Sequence, residues 1–182
     1  MNIMILFRRI IAKIVKTLWY GRTYPYNEAK RLGVKFGDNC RFIGTPRWGS
    51  EPWLIEIGNH VELSFDVTFI THDGATWVFR DQDRYKNVIR YGKIIIEDNC
   101  FIGAMTTILP GVTIGRNSII GACSLVNSDI KPDSVYAGVP AKRICSTAEY
   151  AEKCLEQTPN YDRSAYQRNK KKVLMEILNG KE

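Results

Sequence analysis

The sequence predicts an all-β core wound as a parallel β-helix of hexapeptide repeats, with helical segments at both ends. Three observations predict it. From Ile96 to Pro132 an aliphatic residue opens every sixth position: Ile96, Ile102, Ile108, Ile114, Ile120 and Val126. Four places after each stands a small or β-branched residue: Cys100, Thr106, Val112, Ser118, Ser124 and Ile130. Gly103, Gly115 and Gly121 follow three of the aliphatics. A period of six is neither the helical 3.6 nor a two-residue alternation; it marks a hexapeptide β-helix. Each block supplies one short strand and one turn, and three blocks close a triangular coil. The aliphatics stack inward at the ~4.8 Å spacing of neighbouring strands. The small residues fill the narrow interior, and the glycines are expected to turn the backbone at corners.

Composition sets the outer bounds. A chain of 182 residues with 45% hydrophobic and 25% charged residues fits one soluble globular domain. The net charge of +7 admits nucleic acid, a membrane surface or an anionic ligand as partner. No aromatic-basic interleaving or zinc-finger spacing is present, so nucleic acid is not expected. Five cysteines, an odd number with no CxxC pair, suggest neither a disulfide framework nor a zinc knuckle. Cys40 and Cys100 occupy small interior positions of their blocks and read as packing residues in a reducing cytoplasm.

The chain divides into residues 1–33, 34–145 and 146–182. Residues 1–20 read as a basic amphipathic helix, with Ile3, Phe7, Ile10, Ile14 and Leu18 on one side and Arg8, Arg9, Lys13 and Lys16 on the other. Four charges in ~20 residues argue against a spanning helix, and the absence of a small-residue cleavage site argues against a signal peptide. Two readings stand side by side: contact with the inner face of a membrane, or packing on this chain or a neighbour. Residues 24–32 form a short polar segment with helical character, ending at Gly33. The repeat then starts at Phe36, is interrupted over Trp48–Trp53 by Gly49, Ser50 and Pro52, and resumes at Ile57. It is lost again over 73–91, which carries Trp77, Phe79, Tyr85 and Tyr91 together with Arg80, Arg84, Lys86 and Arg90. A long excursion from a compact coil is usually functional, and this one reads as a lid or acceptor-binding loop. Beyond Ile144 the pattern turns helical. One helix is expected from Ser146 or Thr147 to Gln157, and a second over 162–179; together they read as a cap on the coil's open end.

Ile102-Gly-Ala, Leu109-Pro-Gly-Val-Thr-Ile-Gly, Ile120-Gly-Ala-Cys-Ser-Leu-Val and Ala137-Gly-Val-Pro-Ala-Lys occur together and in order. The stretch from about Val34 to Ile144 thereby resembles the hexapeptide-repeat acyltransferases. It looks most like sugar O-acetyltransferases of the maltose/galactoside type and their capsule and O-antigen relatives. The resemblance implies a left-handed coil, a homotrimer with three shared sites, acetyl-CoA as cosubstrate and a sugar hydroxyl as acceptor. It implies that the excursion reaches over a site shared with a neighbour. Transfer to an amine of an amino sugar, or to an antibiotic hydroxyl, stays open on the same fold, as does a glycan- or membrane-binding scaffold without activity. Hexapeptide coils also include the γ-type carbonic anhydrases, whose zinc needs three histidines; only His60 and His72 are present here, and no metal is expected.

His72, in Phe-Ile-Thr-His-Asp-Gly, stands where the resembling acetyltransferases carry their catalytic histidine. A neutral imidazole in hydrogen-bond reach of a hydroxyl can take its proton as the oxygen attacks a thioester. His60 reads as an exposed turn residue. Glu51, Asp66 and Asp73 are candidates to orient the imidazole or bind the acceptor, with Glu51 ranked first. Adjacent side chains on an extended strand point apart, which counts against a direct Asp73–His72 bond. By resemblance the Ala104 N–H is the oxyanion donor. Gly103, Ala104, Gly121 and Ala122 leave a bare groove in which pantetheine would lie, although the same residues also suit plain corners. Lys142 and Arg143 are placed for the coenzyme's phosphates. Asn127 and Ser128 stand where relatives often carry Thr-Lys, and Phe101 where many carry tryptophan. Trp77, Arg80 and Tyr85 are the acceptor candidates on the excursion. No GxxxxGK[ST] or GxGxxG motif appears, so nucleotide hydrolysis and hydride transfer find no support.

Overall fold

A computed structural model describes residues 24–179; the amphipathic helix expected over residues 1–20 lies outside them. Residues 24–32 are helical (α1) and stop at Gly33, whose φ of +88° reverses the chain. Gly33 N–H bonds back to Lys30 O and Val34 N–H to Ala29 O, satisfying carbonyls the helix would leave open.

The coil follows. Its strands are two to three residues long through β11: β1 (Lys35–Phe36), β2 (Arg41–Phe42), β3 (Ile55–Ile57), β4 (Glu62–Leu63), β5 (Thr68–Phe69), β6 (Ile94–Ile96), β7 (Phe101–Ile102), β8 (Thr107–Ile108), β9 (Thr113–Ile114), β10 (Ile119–Ile120) and β11 (Leu125–Val126). β12 (Ser134–Ala137) and β13 (Lys142–Ser146) end it. They fall into three sheets. One is β1-β3-β6-β9, the next β2-β4-β7-β10-β12-β13, and the third β5-β8-β11. Every pairing is parallel except the closing β12–β13 pair. Successive strands enter successive sheets, so the chain winds round three faces.

The register follows the sixes. Ile96 stacks on Ile114, Ile102 on Ile120 and Ile108 on Val126, each three blocks apart. Ile102, Ile108, Ile114, Ile120 and Val126 are fully buried. Each contributes roughly 1.5–3 kcal/mol by burial. The small positions are inside as well: Thr106 and Ser118 have no exposure, and their hydroxyls bond to the carbonyls of Gly121 and Lys131. Burial raises the thiol of Cys100 to about 11, so it packs as a neutral group.

One expectation needs correcting. The corners are not turned by Gly103, Gly115 and Gly121. In most blocks the left-handed residue stands at the fourth place, with φ of 54–58° at Asn39, His60, Asp66, Asn99, Met105, Asn117 and Cys123 and +84° at Gly111; Asp133 takes the same conformation after Ile130. Asn and Asp accept that conformation more readily than other side chains. At one corner they also bond down the coil: His60 Nδ1 to Asn99 Oδ1 (2.7 Å), Asn99 to Asn117 (2.9 Å) and Asn117 to Asp133 (2.7 Å). The three glycines serve close approach instead. A Cβ on Gly103 would lie 2.4 Å from Ala122 N, on Gly115 2.6 Å from Pro132 N, and on Gly121 2.8 Å from Ala137 Cβ.

Residues from Ala148 onward form a second compact unit. α2 runs Thr147–Gln157. The single helix expected over 162–179 is two, α3 (Arg163–Arg168) and α4 (Lys170–Asn179). Asn169 leaves helical geometry between them, and its side chain accepts from Lys172 N–H as a cap.

The two glycine roles separate by mutation. Gly103→Ala must push backbone against backbone and should lose about 3 kcal/mol. Gly111→Ala meets open space and should lose only the left-handed penalty of about 1 kcal/mol. Urea unfolding of both variants measures the difference; equal losses would refute the assignment.

Candidate active site

The two interruptions of the repeat fall at the same corner, where the third sheet hands over to the first. In the undisturbed coil stacked residues are three blocks apart. Across the first interruption the offset is 21, as in Lys35 against Glu56 and Arg47 against Thr68. Across the excursion it is 39, as in Ile57 against Ile96 and His60 against Asn99. Glu51 precedes His72 by 21, so the two stack.

The local chain explains how Glu51 arrives there. Trp48 is buried between Phe42 and Phe69, with ring centroids 5.6 and 5.2 Å away. Gly49 then takes φ +72° where a Cβ would come within 2.7 Å of Phe69 O. Pro52–Leu54 form a 3-10 turn immediately after Glu51. The Glu51 side chain, 15% exposed, therefore lies against the next coil. Its Oε2 accepts from Thr71 Oγ1 at 2.6 Å and lies 2.9 Å from His72 Nδ1.

The Thr71 hydroxyl first, and the His72 ring second, hold the Glu51 carboxyl below its usual range. An ionised carboxylate only accepts hydrogen bonds, so Nδ1 of His72 carries a proton. In the neutral ring Nε2 is then bare and able to accept one.

Tyr91 flanks the imidazole. It forms an antiparallel bridge with His72, bracketed by Asp73 N–H to Arg90 O and Gly92 N–H to Thr71 O, both 2.9 Å. His72 and Tyr91 are thus a non-hydrogen-bonded pair, whose side chains share a face at close range. Their ring centroids are 5.7 Å apart. Asp73 is otherwise engaged: Oδ1 caps the 3-10 turn Gly74–Val78 through Ala75 N–H, and Oδ2 lies 3.1 Å from Arg90 Nη1. His72, Asp73, Arg90, Tyr91, Pro110 and Asn127 border a cleft of about 510 Å³.

The remaining predicted residues lie elsewhere. Ala104 and Ala122 stand at the corner after the second sheet, following β7 and β10, with Gly103 and Gly121 beside them and Phe101 on β7. Asp66 is at this corner too, 3.8 Å from Arg47. Lys142 and Arg143 belong to β13, on the end of that same sheet. One chain therefore brings together Glu51, His72, Asp73 and Asn127, with Ser128 following Asn127, but not His72 and Ala104. On the excursion Trp77 is 73% exposed, with Arg80 stacked 5.7 Å from its ring. Arg80 also donates to Thr76 Oγ1, and Tyr85 sits edge-on to Phe79.

The second-sheet corner has its own chemistry. The N–H groups of Ala104 and Ala122 donate to no acceptor among the described residues. At another corner three equivalent groups are capped by side chains: Asp38 by Asn59, Asn59 by Asp98, Arg116 by Glu97. The N–H of the glycine beside each alanine is already used between coils, Gly103 to Ile120 O and Gly121 to Tyr136 O, so the donors left over are the alanines' own.

Sequence reasoning missed Thr71 and gave Tyr91 and Arg90 no role beyond membership of the excursion. The offset of 21 sets Glu51 against His72, and Thr71, one position earlier, reaches the same carboxylate oxygen. Among the described residues no three His, Cys, Asp or Glu side chains gather where they could hold a metal ion, and no helix is long and apolar enough to cross a membrane.

Comparison with known proteins places these features. The family model described as bacterial transferase hexapeptide (six repeats) matches residues 93–128. Protein CapG of Staphylococcus aureus is 39% identical over 170 residues, covering 92% of this chain and 94% of CapG. The galactoside O-acetyltransferase of Escherichia coli K12 is 55% identical over 95 residues, which span 52% of this chain and 45% of that enzyme. A solved galactoside acetyltransferase in complex with coenzyme A superposes with a TM-score of 0.52 at 25% identity, covering 74% of this chain and 73% of that one. With its coil of stacked sixes and a relative matched along nearly its whole length, the chain belongs to the hexapeptide-repeat acetyltransferase family and is an acetyltransferase.

Proposed function

We propose that the protein moves the acetyl group of acetyl-CoA to a hydroxyl of a sugar, in the assembly of a surface polysaccharide. The observation that carries this reading is the Glu51–His72 pair, an imidazole with a bare Nε2 at an open cleft. Nε2 takes the proton of the acceptor hydroxyl as its oxygen attacks the thioester carbon. The carbonyl oxygen becomes an oxyanion, held by the Ala104 N–H. The carbon–sulfur bond then breaks, and the imidazolium returns its proton to the thiolate of coenzyme A. Glu51 stays ionised and supports the charged ring in between.

The donor half fits the second-sheet corner. Ala104 and Ala122 offer open N–H groups to an extended amide chain, and Lys142 and Arg143 offer cations to phosphates. Since Ala104 and His72 occupy different corners, a complete site draws them from two copies of the chain, wound left-handed and joined as a homotrimer. Asn127 and Ser128 on the His72 side, and Phe101 with Gly103 and Gly121 on the other, would border the coenzyme. The acceptor enters along Tyr91, Asp73 and the excursion with Trp77, Arg80 and Tyr85. The site works on the cytoplasmic side, with residues 1–20 as a membrane contact.

Two measurements test this. His72→Ala should cut thiol release from acetyl-CoA, assayed with a panel of sugars, by roughly 10²–10⁴-fold, while coenzyme binding by calorimetry is kept. Undiminished turnover refutes the base. Glu51→Gln reads the carboxylate through stability. A carboxyl whose folded value is depressed stabilises above its ordinary 4.5 and loses that contribution as pH falls through the lowered value. The Tm gap between wild type and Glu51→Gln should hold from about pH 5 to 8 and narrow under acid. A gap that widens in acid contradicts the assignment.

A further inference from the structure

Thr71 is the residue that ties the two interruptions together. It is 1% exposed, although it directly precedes the open His72. Its carbonyl accepts from Gly92 N–H at the base of the excursion. Its hydroxyl donates to Glu51 Oε2 at 2.6 Å, the same oxygen that faces His72 Nδ1 at 2.9 Å.

We propose that Thr71 is a positioning residue of the acetyl transfer: its hydroxyl pins Glu51 Oε2 in place, so that His72 holds its proton on Nδ1 and presents a bare Nε2 to the cleft. The proposal rests on the reading of His72 as the base. A glutamate side chain turns about three bonds and does not hold one oxygen against one ring nitrogen unaided. A hydroxyl on the same oxygen fixes its direction and favours the ionised form, which can only accept. The other polar groups near the ring do not substitute. Asp73 and Arg90 are paired with each other, and Tyr91 meets the imidazole ring to ring.

Packing is the competing explanation, and two substitutions separate it. Thr71→Val keeps the volume and the β-branch but loses the hydroxyl. Thr71→Ser keeps the hydroxyl and loses a methyl. The imidazole tautomer is read by long-range proton–nitrogen correlation NMR on the full-length protein. There are only two histidines to assign, and His60, bonded to Asn99, is the internal control. Wild type and Thr71→Ser should show one His72 tautomer, with the proton on Nδ1. Thr71→Val should show a mixture, and its kcat for thiol release should fall roughly tenfold or more, as for loss of a hydrogen bond to a charged group, with the KM for acetyl-CoA unchanged. An unaltered tautomer in Thr71→Val overturns the proposal, as does a Thr71→Ser protein that behaves like Thr71→Val. The NMR reading needs no substrate. It therefore stands or falls separately from the base role, which His72→Ala tests.

Discussion

Stacking in register is the constraint on which the rest of this structure depends. Coil lies on coil, so each aliphatic must meet the aliphatic three blocks on, and each strand must find the strand above it. Ile96, Ile114 and the other buried aliphatics leave no slack, since a one-residue slip would turn every side chain to the wrong face. Extra residues can leave the coil only at a corner. Both insertions use the same one, in successive turns, and Glu51 and His72 meet there. Glu51 is on the first insertion and His72 at the root of the second, so the regular part of the molecule measures out the distance between them.

The corner after the first sheet is closed by the protein itself. Asn99, Asn117 and Asp133 link it from coil to coil, and acidic or amide side chains accept from Asp38, Asn59 and Arg116 N–H. The corner of Ala104 and Ala122 lacks such caps. Beside Ala104 and Ala122 its left-handed places are held by Met105 and Cys123, and by Asp only at Asp66. Both residues accept a conformation that costs most side chains about 1–2 kcal/mol. Two departures from the pattern of the first-sheet corner therefore coincide at this one.

The sequence made the coil legible because its period is local: Ile102, Ile108 and Ile114 can be counted without knowing what they touch. Residues 34–145 and the excursion over 73–91 were read from the same count. What it hid were relations across coils. Gly103 and Gly121 looked like turning points because glycine often is one, whereas here the next coil occupies the place of their side chains. Thr71 looked like an ordinary strand residue, since its partner stands 20 positions earlier. Tyr91 was one aromatic among four until the bridge with His72 set it apart. The break at Asn169 was invisible in a helical pattern that continues on both sides of it.

The proposed division of the site between two corners of neighbouring copies is open to a complementation experiment. His72→Ala removes the base from one corner. Ala122→Trp, at an exposed position, blocks the groove at the other. Each variant alone should be inactive. If a site takes one corner from each of two neighbours, co-refolding the two in equal amounts leaves roughly a quarter of the interfaces intact. Thiol release from acetyl-CoA should then return to about that fraction of wild type. A mixture that stays at the level of its parents would mean that no second copy completes the site.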